Sequence, residues 1–238
     1  MQYVGGKQKS GGDKIAVEIH KLVERAGAEH VIEQCCGGLS VTQRLSDLDV
    51  TARDACVPLI TLYKAMQAGW VPPAEVDRET WERYRGNPDP EDPMTAFVGF
   101  GCSRSGAWFS GFIADYKYTH RRVPAATAAR DSLLRKLACC KGVTFTAGDY
   151  ADAPVRGIWY CDIPYVGSLG YPAVGTFDHA RFWLVANDVS LEIPVLVSER
   201  VAPADWVAIR EWSVQSRIAT TSGGRRDERL FLHDRWAP

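Results

Sequence analysis

Residues 160–166 read Tyr-Cys-Asp-Ile-Pro-Tyr-Val: an acidic residue ends an apolar run, and a proline and an aromatic ring follow within three positions. Pro164 fixes its own φ and has no N–H, so the turn is stiff and its carbonyls face outward. One turn therefore presents a carboxylate (Asp162), a main-chain carbonyl (Ile163) and a flat ring (Tyr165). That trio suits a planar base carrying an exocyclic amine, because each acceptor takes one amine hydrogen while the ring stacks on the base.

A second group lies upstream. Glu33-Gln34-Cys35-Cys36-Gly37-Gly38 closes a short apolar segment. A glycine turn between strand and helix lets backbone N–H groups approach a ligand, and the helix N-terminus favours anionic groups. Asp54 closes the next apolar segment. A carboxylate there either accepts hydrogen bonds from ribose hydroxyls or caps the following helix, and the sequence leaves both readings open.

These residues need a scaffold that brings them to one edge. Ile15, Ile19, Leu22 and Val23 form one stripe of a helix after a Gly-rich opening. Strands are expected to end at Glu33 and at Asp54, the second followed by a helix with Leu59, Leu62, Tyr63 and Met66 facing inward. A helix at about 124–140 precedes strands in VTFTAGDY and GIWYCDIPY, a helix in FDHARFWLVANDVS, a buried strand in IPVLVSE and a last strand in ERLFLHD. The order is that of an α/β, doubly wound, mostly parallel Rossmann-like sheet, whose ligands sit beyond the carboxyl ends of the strands.

Pro72 and Pro73 interrupt this pattern. Residues 74–125 carry no steady period, and 74–140 read as a mainly helical or irregular insertion, leaving 1–73 and 141–238 as the α/β domain. The formal net charge is −1, yet residues 104–141 hold eight Lys/Arg against two Asp, while residues 75–93 hold seven Asp/Glu against three Arg. A local basic surface on a neutral protein binds a polyanion, since nearby charges set the field at short range; the same run also fits a solvated helix face. Ser103, Arg104, Ser105, Lys117, Arg121 and Arg122 are the candidate phosphate or base-edge contacts. Trp108, Phe109, Phe112 and Tyr116 read as the insertion's own core. Thr221 to Arg226, with Arg225 and Arg226, is either a phosphate-binding loop or an ordinary hairpin turn.

Bulk properties narrow the class. A length of 238 residues fits one α/β domain with a modest insertion. The longest apolar run falls well short of the roughly 18 residues that cross a bilayer. No basic start precedes an apolar stretch at the N-terminus, so a cytoplasmic protein, monomeric or weakly dimeric, with no membrane partner is expected. Seven cysteines, two pairs of them adjacent and none in a C-x-x-C spacing, point to reduced thiols and no metal site. The absence of G-x-G-x-x-G argues against a dinucleotide oxidoreductase.

Taken in order, the segments resemble the Dam-like N6-adenine DNA methyltransferases, including phage-encoded relatives, over nearly the whole chain. Tyr3 to Lys7 (YVGGK) resembles their N-terminal motif, EQCCGGLSV their cofactor loop, ARDACVPLI with Asp54 their ribose-binding segment, and FTAGDYADAP with Asp149 and Tyr150 the segment holding the cofactor's adenine. YCDIPY resembles their catalytic Asp-Pro-Pro-Tyr, and IPVLVSE and SRIATTSGGRR resemble later segments.

The resemblance implies a Rossmann-like methyltransferase sheet with S-adenosylmethionine held by Tyr3, Lys7, Glu33, Gln34, Cys35, Gly37, Gly38, Ser40, Asp54, Asp149, Tyr150 and Asp162. It implies catalysis by Asp162, Ile163, Pro164 and Tyr165, and double-stranded DNA recognised by residues 74–140 with help from Lys7. Genome protection, restriction–modification with a partner nuclease, and solitary action are the settings the resemblance leaves open, in a host cytoplasm if phage-encoded. Two departures stand out: Gln34-Cys35 replaces the family's Pro-Phe, and Ile163 replaces the first catalytic proline. The rRNA adenine methyltransferases resemble the latter pattern with Asn-Leu/Ile-Pro-Tyr/Phe, and the amine needs only a carbonyl there. A relative that binds DNA or cofactor without catalysis, and an enzyme acting on RNA, are the alternative readings.

Overall fold

The computed structural model describes residues 1, 7, 11–118, 120–167, 173–215 and 225–238, apart from the side chains of 118, 214, 215, 225 and 226. Elements follow in the order α1 (Gly12–Ala26), β1 (His30–Gln34), β2 (Asp49–Asp54), α2 (Val57–Gln67), α3 (Arg78–Gly86), α4 (Pro93–Ala96), β3 (Asp115–Tyr118), β4 (Arg121–Pro124), α5 (Ala125–Ala138), β5 (Thr144–Ala147), β6 (Ile158–Cys161), α6 (His179–Ser190), β7 (Val195–Glu199), β8 (Trp206–Gln215) and β9 (Arg225–His233). A π-helix spans Phe97–Gly101.

Seven strands make one sheet, ordered β5-β2-β1-β6-β7-β9-β8, and β3 pairs with β4 in a separate antiparallel hairpin. Only β9 runs against its neighbours. This is the α/β, mostly parallel, Rossmann-like sheet that the sequence implies. The chain order reverses at β1, which pairs with β2 on one side and β6 on the other. A crevice opens at such a switch point, outside the carboxyl ends of the strands. Gln34 lies opposite both Arg53 and Cys161, so Cys35, Asp54 and Asp162 emerge at one level of that edge.

Local chemistry explains the elements. The stripe Ile15, Ile19 and Leu22 of α1 is buried, and Gly27 ends the helix in the left-handed conformation (φ 59°) that glycine adopts without penalty. Strands β6 and β7 are buried along their whole length, as expected of central parallel strands covered on both faces. Alternate residues feed two cores. Val31, Ile158, Tyr160 and Leu196 pack on one face with α1, α2 and α5. Ile32, Trp159, Cys161 and Val197 pack on the other with Phe182 and Ala186 of α6. Gly157 (φ 65°) turns the chain into β6 so close to β1 that a Cβ there would lie 2.2 Å from the His30 carbonyl oxygen.

Within residues 74–140, Trp81 of α3 and Phe97, Val98 and Phe100 of the π-helix join the same core as Leu59 and Leu62. Trp108, Phe109 and Phe112 surround Trp81 and Phe100 at ring-centroid distances of 4.8–6.1 Å.

Two features escape the sequence periodicity. The β3–β4 hairpin is short and largely exposed, so it has no apolar face to alternate. In β8, Trp206 and Trp212 are six apart yet pack on opposite faces of the sheet, because an irregularity between Ala208 and Arg210 shifts the register.

Candidate active site

Four strand ends converge on one cleft of about 190 Å³. β1 contributes Glu33 and Gln34, with Cys35 to Gly38 and Ser40 following it. Asp54 comes from β2, Gly148 to Tyr150 follow β5, and Asp162 and Pro164 follow β6. Thr176, Phe177, Asp178 and Arg181 close the far wall from the start of α6.

The turn after β1 is held under tension from every side. Cys35, Gly37 and Leu39 all have left-handed φ (59°, 43° and 58°), which costs the two non-glycine residues of order 1–3 kcal/mol each. Tyr63 Oη donates to the Gly37 carbonyl at 2.5 Å, and the buried Lys136 donates to that of Gly38. Burial brings the Lys136 ammonium down to about 8. The Gly37 N–H donates to Asp54 Oδ2 at 2.9 Å, and the Cys56 N–H donates to Asp54 Oδ1 at 2.9 Å. Each Asp54 oxygen thus accepts one backbone hydrogen, which is the capping role the sequence left open, and the Gly37 N–H faces Asp54. Asp54 lines the cleft, but its first task is to tie the β1 turn to the start of α2.

Glu33 is buried beneath this turn, where Thr42 Oγ1 donates to its Oε2 at 2.6 Å. Burial pushes its carboxyl up to about 8; the Thr42 hydroxyl opposes this, and the charges of Asp162 and Asp54 add to it. Asp149 accepts the Ala151 N–H (2.8 Å) and pairs with Arg181 (2.9 Å). The Tyr150 ring packs against Phe177 and Phe182 at 5.7 and 5.3 Å. The Nε2 of Gln34, the Oγ of Ser40 and the Oη of Tyr150 are buried without any hydrogen-bond partner among the described residues, and all three residues line this cleft. Buried polar groups are normally satisfied; three orphans around one cavity point to a ligand that completes them.

The turn after β6 carries the second centre. The Asp162 N–H donates to the Gln34 carbonyl at 3.2 Å, which continues the β1–β6 ladder by one residue. The Ile163 side chain is buried in the α6-side core with Tyr150, Trp159 and Phe182. Ile163 therefore anchors the turn by apolar burial, of order 1.5–3 kcal/mol, without its side chain intruding on the cleft. The buried Lys7 donates to Asp162 Oδ1 at 2.6 Å and to Tyr165 Oη at 2.5 Å. Burial works against the Lys7 charge, yet Asp162, Tyr165 and Glu228 hold it above the usual lysine range. Burial also raises Asp162 above the ordinary carboxylate value, against the pull of Lys7, and it raises the Tyr165 hydroxyl. The Arg200 guanidinium sits 5.2 Å from the Tyr165 ring centroid.

The remaining sequence candidates divide. Arg104, Ser105, Lys117, Arg121 and Arg122 are exposed, with Arg122 paired to Asp115 at 3.1 Å. Ser103 is a correction: it is fully buried and its Oγ accepts the Trp81 indole N–H at 2.9 Å, so it is a core contact and not a surface one. Tyr3, the rest of the opening motif before Lys7, and the loop 216–224 lie outside the described residues, as do the side chains of Arg225 and Arg226. Sequence reasoning missed Phe177, Arg181, His179, Glu199, Arg200 and Glu228, which reach the site from elements assigned only as scaffold.

No family model matches the chain, and no curated protein matches it. Solved structures similar to it include a precorrin-8w decarboxylase from Methanobacterium thermoautotrophicum (TM-score 0.39, 11% identity, 92% of this chain and 89% of the other). A 23S rRNA methyltransferase aligns with TM-score 0.39 and 13% identity over 91% of this chain and 67% of its own. A magnesium protoporphyrin IX methyltransferase from Synechocystis, solved with S-adenosylmethionine bound, aligns with TM-score 0.36 and 9% identity over 93% and 77%.

Proposed function

We propose that the protein transfers a methyl group from S-adenosylmethionine to the N6 amine of adenine in DNA. One observation carries the reading: the stiff turn bearing Asp162 and Pro164 opens into the same cleft as Gly37, Asp54 and the orphaned polar groups of Gln34, Ser40 and Tyr150.

The residues fit the cofactor. Asp54, Asp149, Asp162 and Asp178 line the cleft, and Arg181 is the one lining cation among the described residues, which suits a ligand carrying positive charge. Tyr150 and Phe177 supply aromatic surface for a purine. When bound, S-adenosylmethionine supplies a methyl group on a positively charged sulfur, an electrophile strong enough that the protein has mainly to align and polarise the acceptor.

The adenine amine is a poor nucleophile because its lone pair is delocalised into the ring. Hydrogen bonds from its two hydrogens to the Asp162 carboxylate and the Ile163 carbonyl favour a pyramidal nitrogen with the lone pair free. On accepting the methyl group the amine nitrogen would become cationic, and Asp162 would take up its surplus proton. Lys7 keeps one Asp162 oxygen and the Tyr165 hydroxyl in fixed relation. Alignment of this kind is worth up to about 7–11 kcal/mol. A base within a duplex must be flipped out at a cost of a few kcal/mol, which stacking on Tyr165 offsets by roughly 1–3 kcal/mol. The exposed Lys117, Arg121 and Arg122 of the hairpin and Arg104 beside it supply phosphate contacts.

Incubation with methyl-labelled cofactor and unmodified duplex DNA, followed by digestion to nucleosides, tests the reading. Label in N6-methyl-2′-deoxyadenosine is expected; label only in RNA, or cofactor bound without any labelled base, overturns it.

A further inference from the structure

The turn that carries Asp162 and Tyr165 is a loop, and a loop places chemical groups accurately only if something outside it holds its backbone. Glu199, the last residue of β7, is fully buried and makes no ion pair within 4 Å with a Lys or Arg among the described residues, although the Arg200 charge acts on it. Its Oε2 accepts the Val166 N–H at 3.0 Å and its Oε1 accepts the Arg200 N–H at 2.7 Å. His179, at the first turn of α6, donates from Nε2 to the Pro164 carbonyl at 2.7 Å and lies 4.0 Å from Glu199 Oε2. The polar backbone groups on either side of Tyr165 are thus gripped by side chains from two other elements.

We propose that Glu199 and His179 are positioning residues that clamp residues 164–166 and so set where Tyr165 and Asp162 stand. This rests on the methyl-transfer reading of the same turn. The donor count explains the residue type. Two N–H groups converge on position 199, and only a carboxylate offers two acceptors without presenting a donor. Glutamine, equal in size, would set its NH₂ against one of the N–H groups. A carboxylate in so buried a place is costly, and the two main-chain donors, the nearby imidazole and the Arg200 charge offset that cost.

The test compares Glu199→Gln and His179→Ala with the wild-type chain. Hydrogen exchange, read without substrate, should show the Val166 amide exchanging at least about tenfold faster in both variants. The Gly37 amide, bonded to Asp54, serves as internal control and should not change. Single-turnover transfer to adenine in duplex DNA should fall about 10²-fold, the cost of roughly 1 Å of misplacement, with cofactor affinity within about twofold of wild type. Unchanged Val166 protection overturns the proposal, as does loss of cofactor binding in step with activity. If Glu199→Gln fails to fold, His179→Ala alone decides. If the wild type does not methylate adenine in DNA, the functional reading falls and the exchange arm still judges the clamp.

Discussion

Asp54 and Asp162 stand at matching places, the carboxyl ends of β2 and β6 on either side of β1, and both line the same cleft. Their surroundings differ. Both oxygens of Asp54 accept main-chain N–H groups, from Gly37 and Cys56. Asp162 gives one oxygen to Lys7, and its Oδ2 accepts no hydrogen bond among the described residues. A carboxylate with a backbone donor on each oxygen helps hold the frame; one with an oxygen free of such donors keeps more acceptor capacity for a ligand. Position at a strand end therefore does not decide a residue's work. The donor inventory around it does.

The sharpest way to break this contrast is Asp162→Asn, which keeps the shape and removes the charge. Transfer should fall by at least about 10²–10³-fold, with cofactor affinity within about twofold, as measured by single-turnover kinetics and calorimetry. Loss of cofactor binding in parallel would make Asp162 a second frame residue. Next in size is Asp54→Asn. Its amide accepts only one of the two N–H groups, and the other, left buried, costs about 1–3 kcal/mol. Denaturant unfolding should register that loss together with weaker cofactor binding; weaker binding at full stability would mean that Asp54 is a ligand group after all.

Glu33 sharpens the comparison through pH. Its carboxyl ionises near 8 when folded and near 4.5 when unfolded. Between those values the unfolded chain binds fewer protons, so this group's contribution to stability falls as pH rises from about 4.5 to about 8 and is flat above. Glu33→Gln should remove that slope, raising Tm relative to wild type at pH 8 by more than at pH 5. Equal Tm differences at both pH values would refute the buried neutral carboxyl. The smallest effects belong to the insertion. Lys117→Ala or Arg121→Ala should weaken DNA binding a few-fold and flatten the log–log salt dependence by about 0.9 per contact. Ser103→Ala, removing the acceptor of the Trp81 indole, should leave that slope unchanged and cost about 1 kcal/mol of stability.

Much of the frame was legible in the chain. The α1 stripe, the apolar runs of β1, β2, β6 and β7, and the acid-proline-aromatic turn each declare themselves within a few residues. The β8 strand did not, because its bulge throws Trp206 and Trp212 onto opposite faces, nor did the hairpin β3–β4, which has no buried side. Ser103 read as a surface contact because nothing near it in sequence reveals the Trp81 indole that fills its hydroxyl.

Local patterns alone thus determined most of the element types and the strand ends that meet at the cleft, since periodicity and turn chemistry act over distances the sequence itself spans. Only the tertiary structure decided that Asp54 holds the β1 turn, that Ile163 is a core anchor, and that Glu199 and His179 grip the turn from β7 and α6. Hydrogen-bond donors that meet an acceptor from 15, 17 or 33 positions away are assigned by the packing of the sheet, and no local pattern carries that information.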